Sequence, residues 1–278
     1  MSYLTAIFLG FIQGLTEFLP VSSSGHLSLI QNLFIGGDVE HEHMFFDVLL
    51  HLATLVAVFV VYRKDIIELI REFFRGIGAA AKGEGLVKNA PPMRRFVWMI
   101  IIACLPLALV PLYQDFVEGL YYNTLFIGFA LLATGVLLKV CDKIGKGKKD
   151  EASAKYSDAL IVGISQAVAV VPGLSRSGTT IAMGSFMGFD RAFAVKFSFI
   201  LSMPAVLGAN ILSAVDAVKA GFDHSLLGVY AAGMVSAFVF GLLAMWLLKF
   251  IVKKGKFGVF SWYCFAAGAA AIIYTIVK

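Results

Sequence analysis

Residues 13–26 read QGLTEFLPVSSSGH, and residues 172–180 read PGLSRSGTT. Each stretch interrupts an apolar run. The first breaks residues 3–35 with Glu17, Pro20, Ser22, Ser23, Ser24, Gly25 and His26; the second breaks residues 157–189 with Pro172, Gly173, Ser175, Arg176, Ser177 and Gly178. The pieces on either side are about 10 to 17 residues long, and at about 1.5 Å per residue most reach only halfway across a ~30 Å hydrocarbon core. Each segment therefore reads as a re-entrant helix–turn–helix that enters a membrane and returns to the same side. Irregular backbone at that depth is tolerated only where protein or a wet cavity surrounds it.

The rest of the chain asks for lipid as its solvent. Of 278 residues, 59% are hydrophobic and 15% charged, against about 25% charged in a soluble domain. Six further stretches, at about 45–62, 96–113, 121–140, 192–214, 225–249 and 257–277, are long and apolar enough to span as helices. The expected fold is an all-α polytopic membrane helical bundle: six transmembrane helices plus the two re-entrant segments, in a single membrane domain over 1–278. The N-terminus has no basic n-region, so no cleavable signal peptide is expected. Cys104, Cys141 and Cys264 are widely spaced in or beside apolar segments and read as small hydrophobes, not as a disulfide or metal framework. Pro106, Pro204 and Asn210 read as packing and kink residues. Gly241 and other small residues could serve a homodimer or packing within one bundle.

The two broken segments are related. Gly10 and Gln13 match Gly163 and Gln166, and Ser22, Ser24 and Gly25 match Ser175, Ser177 and Gly178, all at an offset of 153 residues. A constant offset without a gap indicates an internal repeat, about 1–142 and about 156–278, joined by a short linker. One re-entrant hairpin plus three spans per half is an odd number of crossings, so the halves are expected to be inverted. Charge agrees: 20 of the 23 Lys and Arg residues fall in the stretches 63–95, 139–155, 191–196 and 249–256, all on one side of this topology. The positive-inside rule assigns that side, with the linker, to the cytoplasm and both termini to the outside. The net charge of +5 is thus a matter of orientation, and no nucleic acid is expected as a partner. Inverted repeats whose broken helices meet at the midplane are a transporter device.

Polar residues inside such a bundle need a reason. A carboxylate at the bilayer centre costs roughly 2.5–3.5 kcal/mol, so Glu17 calls for a partner, a metal or a proton. Gln13 lies one turn away on the same helix face. Arg176 is the sole basic residue in the core; it could pair with Glu17. With Ser175, Ser177, Thr179, Thr180, the glycines Gly173 and Gly178 and a helix start, it also makes an anion site suited to phosphate. Ser22, Ser23 and Ser24 add hydroxyls, and His26 can act as acid, base, nucleophile or ligand. A carboxylate, a histidine, a hydroxyl and an arginine cradle together point to phosphoryl transfer or hydrolysis, with a divalent ion, on a phosphorylated lipid. Asp47 and His51, one turn apart, could line the approach to this site or sit at the interface. Glu40, His41, Glu42 and His43 could bind a metal or form a solvated loop.

The two stretches resemble the paired signatures of the bacterial undecaprenyl-pyrophosphate phosphatases, the bacitracin-resistance family, and the resemblance extends over the whole chain in length and segment order. It implies hydrolysis of undecaprenyl pyrophosphate to undecaprenyl phosphate and inorganic phosphate, which recycles the lipid carrier of cell-wall synthesis in the bacterial plasma membrane. It implies a divalent cation, Mg²⁺ or Ca²⁺, at Glu17, with Gln13 occupying the other motif position. It implies catalytic roles for Glu17, Ser23, His26 and Arg176, substrate contacts from Gln13, Ser22, Ser24, Gly173, Ser175, Ser177, Gly178 and Thr180, and a site open to the extracytoplasmic side. Ser23, His26 or water could be the nucleophile. Lipid phosphatases of the phosphatidic-acid type also carry Ser-Gly-His and Ser-Arg, but need a further His soon after the Arg; here none follows until His224. A lipid flippase or secondary transporter with the same inverted repeat is the rival reading.

Overall fold

The computed structural model describes residues 1–35, 42–81, 90–144, 147–220, 224–254 and 257–277; the side chains of 34–35, 42–44, 212–220, 224 and 253–254 are not described. The run Glu40–His43, read as a metal site or a solvated loop, therefore lies outside the described side chains. Among the described residues the regular structure is helical, apart from one isolated bridge between Lys149 and Phe189. Among these residues six helices are long and apolar enough to cross a membrane, as the hydropathy pattern requires, and the chain is a multi-pass membrane protein.

Helix α1 (Tyr3–Phe18) opens with Ser2, whose side chain accepts the Thr5 N–H. It stops where Pro20 denies Leu19 the helical region: Leu19 is extended, with ψ 141°. After the turn, α2 covers Ser23–Ile30. The second short pair, α7 (Tyr156–Val168) and α8 (Arg176–Phe186), is built alike around Pro172 and Gly173. Between the pairs run α3 (Glu42–Ala81), α4 (Pro92–Cys104), a 3-10 stretch Leu105–Tyr113, the short α5 (Gln114–Leu120) and α6 (Thr124–Lys143). After the second pair come α9 (Arg191–Ala220), α10 (Leu227–Lys254) and α11 (Gly258–Val277).

Two boundaries differ from the hydropathy reading. The span expected to stop at residue 62 continues as helix to Ala81, with non-helical angles only at Tyr62 (φ −108°, ψ 19°). The extension carries charges because its inward ones are paired, Asp65 with Lys196 and Glu72 with Arg94. The second span stops being α-helical at Cys104: Pro106 and Pro111 leave it as a 3-10 stretch. Pro204, by contrast, is accommodated within α9.

Close backbone contact positions the short pairs. A Cβ on Gly10 would sit 2.2 Å from the Gly233 carbonyl oxygen of α10, and one on Gly163 2.2 Å from the Ala103 carbonyl oxygen of α4. These are the two glycines that align at the 153-residue offset, and each lets its helix lie directly on a neighbouring one. Gly241 is used in the same way: a Cβ there would be 2.9 Å from the Phe18 ring, so its small size serves packing within this chain. Cys104, Cys141 and Cys264 are free, and the last two are buried among apolar groups. The basic ends are tied together by Lys196, which reaches Asp65 (3.2 Å) and Glu151 (3.0 Å), and by Lys149 on Asp158 (2.7 Å).

Candidate active site

The two turns meet. A Cβ on Gly25 would lie 2.9 Å from Gly173 Cα, and one on Gly178 3.2 Å from Pro20 Cβ, so glycine is what permits the approach. Ser22 Oγ donates across to the Leu174 carbonyl (3.4 Å), and Ser177 Oγ donates back to the Leu19 carbonyl (3.4 Å). Each turn also caps its own helix: Ser22 Oγ accepts the Gly25 N–H (3.2 Å) and Ser175 Oγ the Gly178 N–H (3.0 Å). Thr134 of α6, fully buried, clamps the second turn by donating to the Gly173 carbonyl and accepting the Ser175 N–H, both at 3.0 Å.

Beside the junction is a cavity of about 190 Å³, lined by Glu17, Ser22, Ser23, Ser24, Ser175, Arg176 and Ser177 together with His51, Tyr121 and an apolar wall from α9 (Ala205, Val206, Ala209). Glu17 is its hub. One carboxylate oxygen accepts from Arg176 Nη2; the other accepts from Ser23 Oγ (2.6 Å) and from Gln13 Nε2 (3.0 Å), and faces His51 Nε2 at 3.6 Å. The pairing of Arg176 with Glu17 read from the sequence is present. It is incomplete as a salt bridge, because Arg176 Nη1 is buried without a hydrogen-bond acceptor among the described residues. A guanidinium N–H left in that state costs about 1–3 kcal/mol, and an anion in the cavity relieves it. Helix α8 adds its N-terminal end, with the free N–H groups and positive dipole that favour phosphate.

Seven of the twelve expected site residues thus line the cavity. Gln13 stands behind Glu17. Gly173 and Gly178 shape the turns, and Thr180 is buried against α9, with Oγ1 2.6 Å from Ser198 Oγ. His26 is outside the cavity lining. Its Nδ1 donates to the Ser22 carbonyl (2.7 Å), and its Nε2 meets the Tyr263 hydroxyl of α11 (2.8 Å), with the two rings stacked. The histidine that faces Glu17 is His51, whose Nδ1 donates to the Asp47 carbonyl (2.7 Å). The Asp47–His51 spacing was the only signal for it. Nothing in sequence marks Thr134 or Tyr263, each in a largely apolar helix with no motif around it.

Among the described residues no three His, Cys, Asp or Glu side chains converge as a metal cage. The donors do fit a cation that is shared with a ligand. Mg²⁺ is typically held by one or two carboxylates plus substrate phosphates. Here Glu17 supplies the carboxylate, and Gln13 Oε1 beside it is buried with no donor among the described residues.

The chain as a whole matches known proteins. Residues 6–270 match the family described as "Bacitracin resistance protein BacA". A protein of Alkaliphilus metalliredigens named undecaprenyl-diphosphatase is 40% identical over 278 residues, covering all of both chains. Proteins of the same name from Methanosphaera stadtmanae and Methanobrevibacter smithii are 38% and 40% identical, over 100% and 99% of this chain and 99% of theirs.

Proposed function

The chain belongs to the bacitracin resistance protein BacA family, and we propose that it is a membrane phosphatase that hydrolyses undecaprenyl pyrophosphate to undecaprenyl phosphate and inorganic phosphate. The observation that carries this reading is the half-satisfied guanidinium of Arg176, held by Glu17 beside the Ser23 hydroxyl.

The terminal phosphate enters between the two turns. Arg176 donates its free Nη1–H to a phosphate oxygen, and the first N–H groups of α8 add theirs. Ser23 Oγ, hydrogen-bonded to Glu17, attacks the terminal phosphorus; its proton passes to the Glu17 carboxylate. The bond from phosphorus to the bridging oxygen breaks, and undecaprenyl phosphate departs with that oxygen. Water then cleaves the phosphoserine, and inorganic phosphate leaves. His26 acts here as a positioning residue, holding the Ser22 carbonyl next to the reacting serine. A divalent cation, Mg²⁺ or Ca²⁺, would be held by Glu17 and Gln13 Oε1 with phosphate oxygens, and would supply charge neutralisation on the pyrophosphate.

The helix-turn-helix pairs act as re-entrant hairpins of an inverted repeat, about 1–142 and about 156–278, within one membrane domain. The lining supports a site open on the extracytoplasmic side of the bacterial plasma membrane. His51 is nine residues along α3 from the end opposite the basic loops, and Tyr121 lies just before α6, also at the non-basic end.

Phosphate release from a polyprenyl pyrophosphate in detergent tests the reading, because detergent permits no transport. Wild type is expected to release phosphate and Arg176→Ala to lose about 100- to 1,000-fold in kcat, the scale for removing a preorganised donor from a buried site. Near-normal turnover in that variant sinks the assignment.

A further inference from the structure

Helix α3 is about twice as long as a bilayer requires. Its 40 residues would extend about 60 Å, while a hydrocarbon core is ~30 Å. Residues 63–81 carry Arg63, Lys64, Asp65, Glu68, Arg71, Glu72 and Arg75, too many charges for the hydrocarbon region. The same residues expose Ile67 (43%), Ile70 (50%), Phe74 (65%) and Ile77 (47%), too much apolar surface for a helix standing in water.

The contacts show how this part of α3 runs. Asp65 pairs with Lys196, whose ammonium lies over the Phe96 ring, so Asp65 is level with Phe96 of α4. Eleven residues later, a Cβ on Gly76 would lie 3.4 Å from Arg94 Cδ, and Glu72 pairs with Arg94 at 3.2 Å. Those eleven residues rise about 16 Å along α3, while Phe96 and Arg94 are about 3 Å apart along α4. The second part of α3 therefore crosses the start of α4 steeply. It runs across the basic end of the bundle, not onward along a span.

Its faces are sorted for that position. At about 100° per residue, Lys64, Arg71 and Arg75 share an arc of about 40°. Next to it is an apolar arc of about 120° holding Ile67, Phe74, Ile70, Ile77 and Phe73, with Arg63 at its membrane end. The face on the other side of the basic arc, with Glu72, Gly76 and Ala79, is buried, as is Ile66 near the start of the segment. Lys64, Ile67, Glu68, Arg71 and Arg75 line a surface groove along the boundary between the basic and apolar arcs. A basic stripe beside a bulky apolar face, continuous with a membrane-crossing segment, is the pattern of a helix lying in the headgroup layer.

We propose that residues 63–81 form an interfacial helix that binds anionic phospholipid at the basic end of the bundle: Ile67, Ile70, Phe74 and Ile77 enter the acyl boundary, and Lys64, Arg71 and Arg75 hold the phosphodiester headgroups. The partner is anionic lipid because the exposed charge of the stripe is positive: Asp65 is turned inward to Lys196, Glu72 is shared between Arg94 and Arg75 (2.8 Å), and Glu68 is the one acid on the groove beside Lys64, Arg71 and Arg75.

The test uses the full chain in lipid nanodiscs of phosphatidylglycerol or of phosphatidylcholine, read by backbone hydrogen exchange of residues 63–81 and by native mass spectrometry of retained lipid. Phosphatidylglycerol is expected to slow exchange several-fold relative to phosphatidylcholine and to be retained on release from the disc. The triple variant K64Q/R71Q/R75Q is expected to abolish the difference in exchange and to lower the preference in lipid retention by more than about 10-fold, out of the roughly 100-fold that three such charges provide. These side chains are exposed and Glu72 keeps Arg94 as its partner when Arg75 is replaced, so the variant should elute and melt as wild type. Ile70→Ser with Phe74→Ser gives an independent arm: faster exchange in both lipids with charge intact. Equal exchange and equal retention in the two lipids overturn the proposal. So does a preference that survives the triple variant, or one abolished by millimolar inorganic phosphate, which would make the groove a soluble-anion site.

Discussion

In the first turn the serine that caps the following helix, Ser22, has φ 72° and ψ 94°; its counterpart in the second, Ser175, has φ −72° and ψ 113°. The second turn places its positive φ two residues earlier, on Gly173 at 90°, where the first has Pro20. Both turns cap the same way, yet only the first puts a residue with a side chain into the left-handed region; Ser22 is the one such non-glycine among the described residues. That conformation costs on the order of 1–3 kcal/mol and persists only where surroundings over-determine it. Here His26 holds the Ser22 carbonyl, Gly25 holds its hydroxyl, and Tyr263 holds His26. The next residue is Ser23, aimed at Glu17. The second turn is a relaxed cradle clamped by Thr134, the first a held one that presents a hydroxyl. The partners diverge in step. Gln13 bonds Glu17, whereas at the matching positions Gln166 faces Val170 in sequence and both its amide atoms are buried without a partner among the described residues.

The contrast can be broken most forcefully at Ser23, the serine proposed to attack phosphorus. Ser23→Ala is expected to reduce phosphate release by about 1,000-fold, and Ser177→Ala by about 10-fold, because only the first is the proposed nucleophile. Single-turnover rates separate them; equal losses would erase the division of labour. Next in size is Gly173→Ala. Its Cβ would meet the Ile127 carbonyl and Ala130 Cβ, both at 2.7 Å, on a residue at φ 90°. A loss of about 2–3 kcal/mol of stability is expected, read as a fall in melting temperature of the detergent-purified protein. The smallest effect sharpens the account of strain. Ser22→Ala loses the cap and keeps the left-handed φ, costing about 1 kcal/mol. Ser22→Gly loses the same hydroxyl but accepts the φ freely, and should melt within a few tenths of a kcal/mol of wild type. If the alanine variant is the more stable of the two, Ser22 is not strained.

Much of this was legible because lipid imposes simple rules. Pro20 and Pro172–Gly173 had to break helices, apolar length had to give six spans, and an intramembrane Glu17 had to find Arg176 or a ligand. What escaped was facing. His26 and His51 are each bonded through Nδ1 to the carbonyl four residues back, yet one ring points to α11 and the other into the cavity. That difference is set by how distant helices pack, which no local pattern encodes. The extension of α3 past residue 62 escaped for a related reason: its inward acids are neutralised by Lys196 and Arg94, residues remote in sequence, so a window that counts charges ends the helix too early.

The bond between Glu17 and Arg176 joins residues 159 apart in the chain, and this bears on how the protein is made. Synthesis proceeds at about 5–20 residues per second, so Glu17 is available to the insertion machinery for roughly 10–30 s before Arg176 exists. During that interval the first hairpin carries a carboxylate without its guanidinium partner. It must wait at the membrane surface, take up a proton, or shelter in the translocon until the second half arrives to let it settle.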